Sequence, residues 1–309
     1  MKKIMVIPFC FIFFLSFISC NKFESLKGSI VVNGLERDFY YHLPENFKKK
    51  EHLPLLIALH GGGGSGRSIM LHSNFNSISD RERFIVLYPN GIKRHWNDGR
   101  KKKVYYAHRK NIDDVGFISK LMDFFIEKFN ADRDRIYVVG MSNGGLMTFR
   151  LTCEIPEKIT AIATVSASMS VNLVKNCKKN FALPVLLING TEDSIIRWGG
   201  GEIRFFGYGL GEVIAIPDLV NYWIKRNGCD VIFKKRYLPD KDSGDGTKVY
   251  VRRFLNSKTE IEVLQYVIEG GGHSWPGGFR YMPEFLTGKI CRDIDGGEVI
   301  WNFFKRFSK

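Results

Sequence analysis

The apolar positions of the chain follow two patterns, which predict buried strands that alternate with helices. Residues 113–129 carry apolar side chains at helical spacing, and Asp113 and Asp114 stand where carboxylates favour a helix start. Strands alternating with helices predict the α/β class, with a doubly wound, mostly parallel sheet. Near-continuous apolar runs, typical of strands covered on both faces, occupy residues 53–59, 84–89, 136–139, 159–165 and 184–190.

The segments before and after these buried strands predict the edges of the sheet and the bounds of the domain. Residues 29–32 and 38–43 flank Asn33-Gly34, which is typical of hairpins, so we expect an antiparallel N-terminal edge with extra residues after the turn. No repeat or low-complexity linker interrupts the chain, so we expect one domain over residues 28–309, after a short tether at 21–27. The later predicted elements are a helix at 217–224, strands at 249–254 and 261–268, and an amphipathic helix at 298–307.

Residues 1–20 have the pattern of an export signal. Lys2 and Lys3 precede an apolar run at 4–18, which is shorter than the roughly 20 residues of a membrane span. The run leads into Ser19-Cys20 and resembles the lipobox of bacterial lipoproteins, although Phe17 stands where leucine is usual. We therefore expect a lipid on Cys20 and a membrane-anchored protein in the periplasm or at the cell surface. The alternative is plain cleavage and secretion.

Composition and charge limit the domain number and the classes of binding partner that the chain can have. The chain has 309 residues, 44% of them apolar, which suits one large α/β domain. Its net charge is +14, yet the lysine-rich groups at 48–50, 101–103 and 234–236 are short and scattered. We interpret these groups as solvated loops, and without a nucleic-acid-binding signature we expect no nucleic-acid partner. We also expect a monomer.

The strand at 136–139 leads into the most informative motif, Gly140-x-Ser142-x-Gly144. Strand, Gly-x-Ser-x-Gly and helix form the nucleophile elbow of α/β-hydrolases, in which a tight turn exposes the serine hydroxyl. An ordinary glycine-rich turn is the alternative on this motif alone. The rest of the chain favours the elbow, because it supplies the other groups that a serine nucleophile needs.

An acid and then a base follow the serine along the chain, which is the order found in α/β-hydrolases. His273 is the only histidine after Ser142, and it lies in a glycine-rich segment that follows a predicted strand. Asp193 comes just past the strand predicted at 184–190 and can hold the imidazole in the required tautomer. Glu192 is the alternative acid.

The oxyanion hole is predicted from a second glycine-rich segment. His60-Gly61-Gly62-Gly63-Gly64 follows an early strand and resembles the His-Gly-Gly-Gly motif of esterases and lipases. We expect the N–H groups of Gly61, Gly62 and Asn143 to face a developing oxyanion. A phosphate loop is disfavoured, since no Gly-Lys-Ser/Thr follows.

Four cysteines remain outside the export signal, and an even number in an exported protein predicts two disulfides. Cys153 follows the elbow helix and Cys177 precedes the strand that delivers Asp193, so neighbouring elements predict a Cys153–Cys177 bond. A Cys229–Cys291 bond follows only by elimination. There is no Cys-x-x-Cys, and we expect neither a metal nor another cofactor.

Taken together, the motifs resemble the secreted esterases grouped with poly(3-hydroxybutyrate) depolymerases, feruloyl esterases and acetyl xylan esterases. The resemblance implies an α/β-hydrolase fold and ester hydrolysis through an acyl-enzyme, with Ser142, Asp193 and His273 as the triad. Relatives often carry a cysteine partner for the Cys229 position that is missing here. The resemblance runs through His60-Gly61, Tyr88-Pro89-Asn90-Gly91, Trp96-Asn97, Asp113-Asp114-Val115-Gly116, Gly140-Met141-Ser142-Asn143-Gly144-Gly145, Asn189-Gly190-Thr191-Glu192-Asp193 and Gly272-His273-Ser274-Trp275-Pro276-Gly277-Gly278.

The substrate implied by this resemblance is a feruloyl, acetyl or short hydroxyalkanoate ester, which a carbohydrate can carry. Trp96 and Trp275 are candidates to bind it, by stacking on a sugar or an aromatic acyl ring, with a place in the core as the equal alternative. Two other functions remain open at this stage. One is a serine peptidase of the same fold, and the other is a non-catalytic surface-binding lipoprotein.

Overall fold

A computed structural model describes residues 25–177 and 180–309 of the chain. The predicted export signal and Cys20 lie outside the described residues. The strands are β1 (Leu26–Val32), β2 (Leu35–His42), β3 (Leu55–Leu59), β4 (Ile85–Pro89), β5 (Ile136–Met141), β6 (Ala161–Val165), β7 (Val185–Gly190), β8 (Gly201–Phe205), β9 (Tyr208–Val213), β10 (Val231–Ile232), β11 (Arg236–Tyr237), β12 (Lys248–Leu255) and β13 (Glu262–Glu269).

Helices cover much of the remaining described chain. Within these residues, no helix combines the length and the apolar character that a membrane span requires. The helices are α1 (Gly66–Ser73), α2 (Phe75–Glu82), α3 (Tyr106–Arg109), α4 (Asp114–Phe129), α5 (Asn143–Glu154), α6 (Val171–Asn176), α7 (Ile216–Asn227), α8 (Glu284–Thr287) and α9 (Gly296–Phe304).

One large sheet organises the molecule, with strand order β1-β2-β4-β3-β5-β6-β7-β13-β12-β10 and with β11 on β12. The six strands from β4 to β13 in this order are parallel, which confirms the predicted α/β-hydrolase fold class. The predicted antiparallel N-terminal edge is formed by β1, β2 and β4. At the other edge, β12 is antiparallel to β13, so the parallel strands stand between two antiparallel margins.

The N-terminal hairpin differs from the prediction in two details. Val32 pairs directly with Leu35, so Asn33-Gly34 is the whole turn and no extra residues follow it. Both turn residues have positive φ, 50° and 78°, as the two-residue hairpin turn with the twist of the strands requires. The first strand also begins at Leu26, within the segment that was predicted as a tether.

The core lies on both faces of the sheet, because alternate strand residues point to opposite sides. On β3, Leu55, Ile57 and Leu59 pack into the layer that contains α4, while Leu56 and Ala58 pack into the layer with α9. The β3 strand is therefore buried along its whole length. This explains why its sequence reads as one apolar run rather than as an alternating pattern.

The predicted Cys153–Cys177 disulfide is present and joins the last turn of α5 to the residue after α6. The Cys229–Cys291 prediction is wrong, because both cysteines are free. Cys229 packs against the core layer on one face of the sheet, and Cys291 belongs to the layer on the other face. The sheet between the two layers prevents the bond.

Candidate active site

Ser142 occupies the tight turn between β5 and α5. Its backbone angles are φ 53° and ψ −120°, a conformation that side chains rarely adopt and that marks stored strain. A Cβ on Gly140 would lie 2.2 Å from the Gly144 carbonyl oxygen, and a Cβ on Gly144 would lie 2.3 Å from the Leu59 carbonyl oxygen. Only glycine therefore fits on either side of the serine, and the turn has the geometry of a nucleophile elbow.

His273 and Asp193 are brought together by neighbouring strands. The two side chains follow β13 and β7, which pair in parallel, and His273 Nδ1 lies 2.8 Å from Asp193 Oδ2. The other oxygen of Asp193 accepts hydrogen bonds from the N–H groups of Ile195 and Ile196, at 2.9 and 2.7 Å. Asp193 is buried and Glu192 is exposed, so Asp193 is the carboxylate that holds the imidazole. With a proton on Nδ1, the Nε2 atom is left to act as a base.

The predicted oxyanion residues lie beside Ser142. A Cβ on Gly61 would be 3.5 Å from the Ser142 Cβ atom, and one on Gly62 would be 3.6 Å from the Asn143 Cβ atom. Among the described residues, the N–H groups of Gly62 and Asn143 donate none of the hydrogen bonds found. Asn143 also begins α5, where the helix leaves its first N–H groups unpaired. These groups can therefore serve an oxyanion.

A buried histidine supports this loop. His60 Nδ1 donates to the Gly61 carbonyl oxygen at 2.8 Å, and His60 Nε2 accepts from the Gly91 N–H at 3.0 Å. The carbonyl oxygen of His60 accepts from Trp96 Nε1 at 2.9 Å. Burial lowers the pKa of His60 to about 4, so the ring is neutral at physiological pH. A neutral ring is what the donor and acceptor roles of its two nitrogens require.

A second buried network, centred on Asp98, holds Asn143 from the other side. The Asp98 carboxylate forms a two-pronged ion pair with Arg100 and accepts from His108 Nε2 and from Asn143 Nδ2. Burial alone would raise the pKa of Asp98, but the charge of Arg100 and the bond from His108 outweigh it and keep that pKa well below its usual range. Arg100 also donates to the Leu210 carbonyl oxygen on β9. The network therefore links the residue after the nucleophile to a distant hairpin.

Ser142 and His273 line one cleft with a volume of about 340 Å³. This volume is at the lower end of the range for small-molecule sites, and the walls are mostly apolar, as in such sites generally. One wall comes from the β8–β9 hairpin and another from the loop after β4. The other lining residues are Gly62, Gly63, His95, Arg100, Tyr105, Asn143, Leu146, Ile195, Ile196, Ile203, Phe205, Leu210, Tyr281 and Met282.

Of the two equal alternatives for Trp96 and Trp275, the structure shows a place in the core and not a substrate-binding position. Trp96 has no exposed surface and Trp275 is 2% exposed, and neither lines the cleft with Ser142. Trp96 packs on the His60 ring, with centroids 4.8 Å apart, and Trp275 contacts Phe75 edge to face. Both indoles belong to the core beside the catalytic loops, which explains why they accompany those loops in the sequence.

The sequence did not reveal the Asp98 network or the β8–β9 hairpin. Asp98 follows the Trp96-Asn97 motif directly, so a carboxylate and an arginine beside that motif were the available signal. The hairpin is rich in glycine and its apolar alternation is short, which conceals its three cleft-lining residues Ile203, Phe205 and Leu210.

One group of metal-ligand side chains occurs elsewhere in the described chain. Ligand atoms of Asp245, Cys291 and Asp293 lie within 4.8 Å of one another. None of these residues lines the cleft with Ser142. The cleft itself contains no such group among the described residues.

Comparisons with known proteins agree with this geometry. The sequence of NocK from Nocardia uniformis subsp. tsuyamanensis, named as an esterase, is 27% identical over 283 residues, which cover 89% of this chain and 80% of NocK. Feruloyl esterase B of Piromyces equi is 25% identical over 274 residues, but the chain spans only 44% of its length. The acetyl xylan esterase of Aspergillus awamori has the same fold, with a TM-score of 0.59 at 14% identity over 91% of this chain and 99% of that one.

These comparisons confirm the resemblance to feruloyl and acetyl xylan esterases that the motifs predicted. The phospholipase/carboxylesterase family matches residues 46–204, a span that contains the elbow, the oxyanion loop and Asp193. The chain therefore belongs to the phospholipase/carboxylesterase family and is a carboxylic ester hydrolase.

Proposed function

We propose that the protein is a serine esterase that works through an acyl-enzyme, with Ser142 as nucleophile, His273 as base and Asp193 as the group that orients the base. The observation that carries this proposal is the 2.8 Å contact between Asp193 and His273, at a cleft that both His273 and the strained Ser142 line. This is the arrangement expected when a base must take the serine proton and be held in one tautomer while it does so.

The reaction follows from these positions. His273 Nε2 takes the proton from Ser142 Oγ while Oγ attacks the ester carbonyl carbon. The N–H groups of Gly62 and Asn143 stabilise the oxyanion, and Gly61 brings the loop close to the serine. The protonated His273 then gives its proton to the leaving alcohol. Water, activated by the same nitrogen, hydrolyses the acyl-enzyme and restores Ser142.

The walls of the cleft support an acyl group larger than acetyl. Seven aliphatic, thioether or phenyl side chains and two tyrosines surround a space of about 340 Å³, most of which an acetyl group would leave unfilled. A hydroxycinnamoyl group offers apolar area and a ring that can contact Tyr105 or Tyr281, and burial of apolar area is worth about 25 cal/mol per Å². We therefore place feruloyl-type esters, carried by a carbohydrate, ahead of acetyl and short hydroxyalkanoate esters.

A substrate panel and two matched variants test this function. We expect kcat/KM to rise from p-nitrophenyl acetate to the butyrate ester, and methyl ferulate to exceed acetylated xylan. Asp193→Asn should lower kcat by roughly ten-thousand-fold, because the amide favours the wrong tautomer of His273. Glu192→Gln, one residue away and exposed, should retain near-normal kcat. A severe loss in Glu192→Gln with little loss in Asp193→Asn would contradict the assignment of the acid.

We further propose that the mature protein is a monomer anchored to a membrane by a lipid on Cys20. The support is the order of Lys2-Lys3, the apolar run and Ser19-Cys20 in the sequence. Cys20→Ala should abolish lipid attachment and partitioning into detergent. Mass spectrometry of the native protein would contradict the anchor if it found an unmodified N-terminus beyond residue 20.

A further inference from the structure

A strongly basic segment, residues 93–110, runs beside the cleft. Its only carboxylate is Asp98, which is buried and paired with Arg100. Among the described residues, only one of its exposed cations, Lys102, pairs with a carboxylate. The exposed cations of the basic segment are Lys93, Arg94, Lys101, Lys102, Lys103, Arg109 and Lys110.

The basic segment forms part of the cleft wall. Its residues His95, Arg100 and Tyr105 line the same cleft as Ser142. The lysines at 101–103 stand between two of these lining residues, and the Gly63 N–H binds the Arg94 carbonyl oxygen at 2.9 Å. The exposed cations therefore lie within a few residues, along the chain, of three side chains that line the cleft.

The adjoining β8–β9 hairpin neutralises only part of this charge. Lys102 Nζ lies 3.1 Å from Glu202 on β8, and the same carboxylate also binds Arg204 at 3.0 Å. Glu202 thus serves two cations, and the exposed Glu212 leaves the hairpin with a net charge of −1 (two carboxylates and one arginine), against seven exposed cations in the basic segment. Arg197, beside the lining residues Ile195 and Ile196, is exposed as well. Like charges gathered at a cleft raise the local concentration of an oppositely charged ligand and speed its arrival.

We propose that the ester substrate carries carboxylates on its alcohol portion, as an acidic polysaccharide does, and that the basic segment binds them outside the cleft. This inference rests on the proposed esterase function. The cleft is apolar and suited to the acyl group, so the alcohol portion must leave it across the rim. Flexible lysines act as point charges and suit carboxylates spaced along a polymer better than a single fixed anion. Residues 101–103 form a solvated loop, as the sequence predicted, and the proposal gives this loop a binding role.

The chain offers a matched control for the test. Two triple variants remove the same charge from exposed lysines: Lys101→Gln/Lys102→Gln/Lys103→Gln and Lys48→Gln/Lys49→Gln/Lys50→Gln. Only the first triplet lies between two residues that line the cleft, Arg100 and Tyr105. Each protein is assayed on two oligosaccharide esters with the same acyl group, one on a uronate chain and one on a neutral chain. The Lys101→Gln/Lys103→Gln variant keeps the Lys102–Glu202 pair and so separates binding from support of the hairpin.

At about 20 mM salt, we expect the 101–103 variant to lose roughly tenfold in kcat/KM on the uronate ester, through KM and with kcat unchanged. Its activity on the neutral ester should not change, and the double variant should show most of the loss. The 48–50 variant should match the wild type. About 0.5 M salt should remove the difference, because it screens charges beyond a few ångströms.

Equal losses on both esters, or equal losses in both triplets, would overturn the proposal. Stronger competition by anionic phospholipid vesicles or by duplex DNA than by unesterified oligogalacturonate would also overturn it, in favour of another partner. Calorimetric binding of unesterified oligogalacturonate to Ser142→Ala separates the two proposals. Binding that is sensitive to salt and to the 101–103 changes supports the basic segment even if the chemistry of Ser142 fails, and absence of binding refutes it.

Discussion

Asp98→Asn removes one charge from the centre of the buried network while it keeps the shape of the side chain. The carboxylate has no exposed surface, and the side chain of its partner Arg100 is 3% exposed. The substitution therefore leaves a buried guanidinium without its counter-ion. Breaking a buried pair by removal of one partner costs about 3–5 kcal/mol. For a chain of this size, this predicts a fall in Tm of roughly 5–10 °C.

The same change should reach the oxyanion hole. Asn143 Nδ2 donates to the Asp98 carboxylate, and this bond orients the residue whose N–H we propose to face the substrate oxygen. We expect kcat to fall by roughly tenfold or more, less than the 10²–10³ that follows from loss of an oxyanion donor. The KM for a small neutral ester should change little. Affinity for a boronic acid, which mimics the tetrahedral intermediate, should fall with kcat.

Thermal unfolding and steady-state kinetics on matched variants provide the assay. Asp123→Asn also removes one carboxylate, from the exposed Lys158–Asp123 pair, and should cost less than about 1 kcal/mol. Asp98→Asn/Arg100→Met should be less destabilised than the sum of its single changes, because the unpaired charge is gone. An unchanged Tm in Asp98→Asn, or additive single changes, would show that Asp98 and Arg100 do not depend on each other in the buried network.

Three further predictions concern stability. Cys153→Ser removes a disulfide that spans 24 residues and should lower the unfolding free energy by about 3.5 kcal/mol by the chain-entropy model. In the same denaturant titration Cys229→Ser should lower it by less, and equal losses in the two variants would contradict this prediction. Burial lowers the pKa of His60 to about 4, so as the pH falls the unfolded chain takes up the proton at a higher pH than the folded protein does. Between pH 6.5 and pH 4, the unfolding free energy of the wild type should therefore fall by about 3 kcal/mol more than that of His60→Gln. Trp96→Phe removes the hydrogen bond to the His60 carbonyl oxygen and should lower Tm while leaving KM unchanged. A large rise in KM would indicate that Trp96 binds the substrate.

The sequence was informative wherever local pattern and tertiary role coincide. The buried strand β3 is apolar along its whole length because both faces are covered. The glycines beside Ser142 are required because a Cβ atom at either position would lie 2.2 or 2.3 Å from a backbone carbonyl oxygen. The contact between His273 and Asp193 could be predicted because parallel neighbouring strands deliver their following loops to the same edge of the sheet.

The remaining features depend on packing that sequence spacing does not encode. Cys229 and Cys291 gave the right number for a second disulfide, but the sheet separates them. The indoles of Trp96 and Trp275 turn inward rather than toward the cleft. The β8–β9 hairpin forms a wall of the cleft through a few apolar residues among glycines. Its position beside the cleft depends on tertiary contacts such as the hydrogen bond from Arg100 to the Leu210 carbonyl oxygen.

Trapping of the acyl-enzyme is the most direct test of whether Ser142 is the nucleophile. The protein is mixed with a p-nitrophenyl ester, quenched in acid within the first turnover, digested and analysed by mass spectrometry. We expect the acyl mass on Ser142, no acyl mass on Ser142→Ala, and a kcat for that variant that is lower by roughly a million-fold. An acyl group on another residue, or near-normal turnover by Ser142→Ala, would show that Ser142 is not the nucleophile.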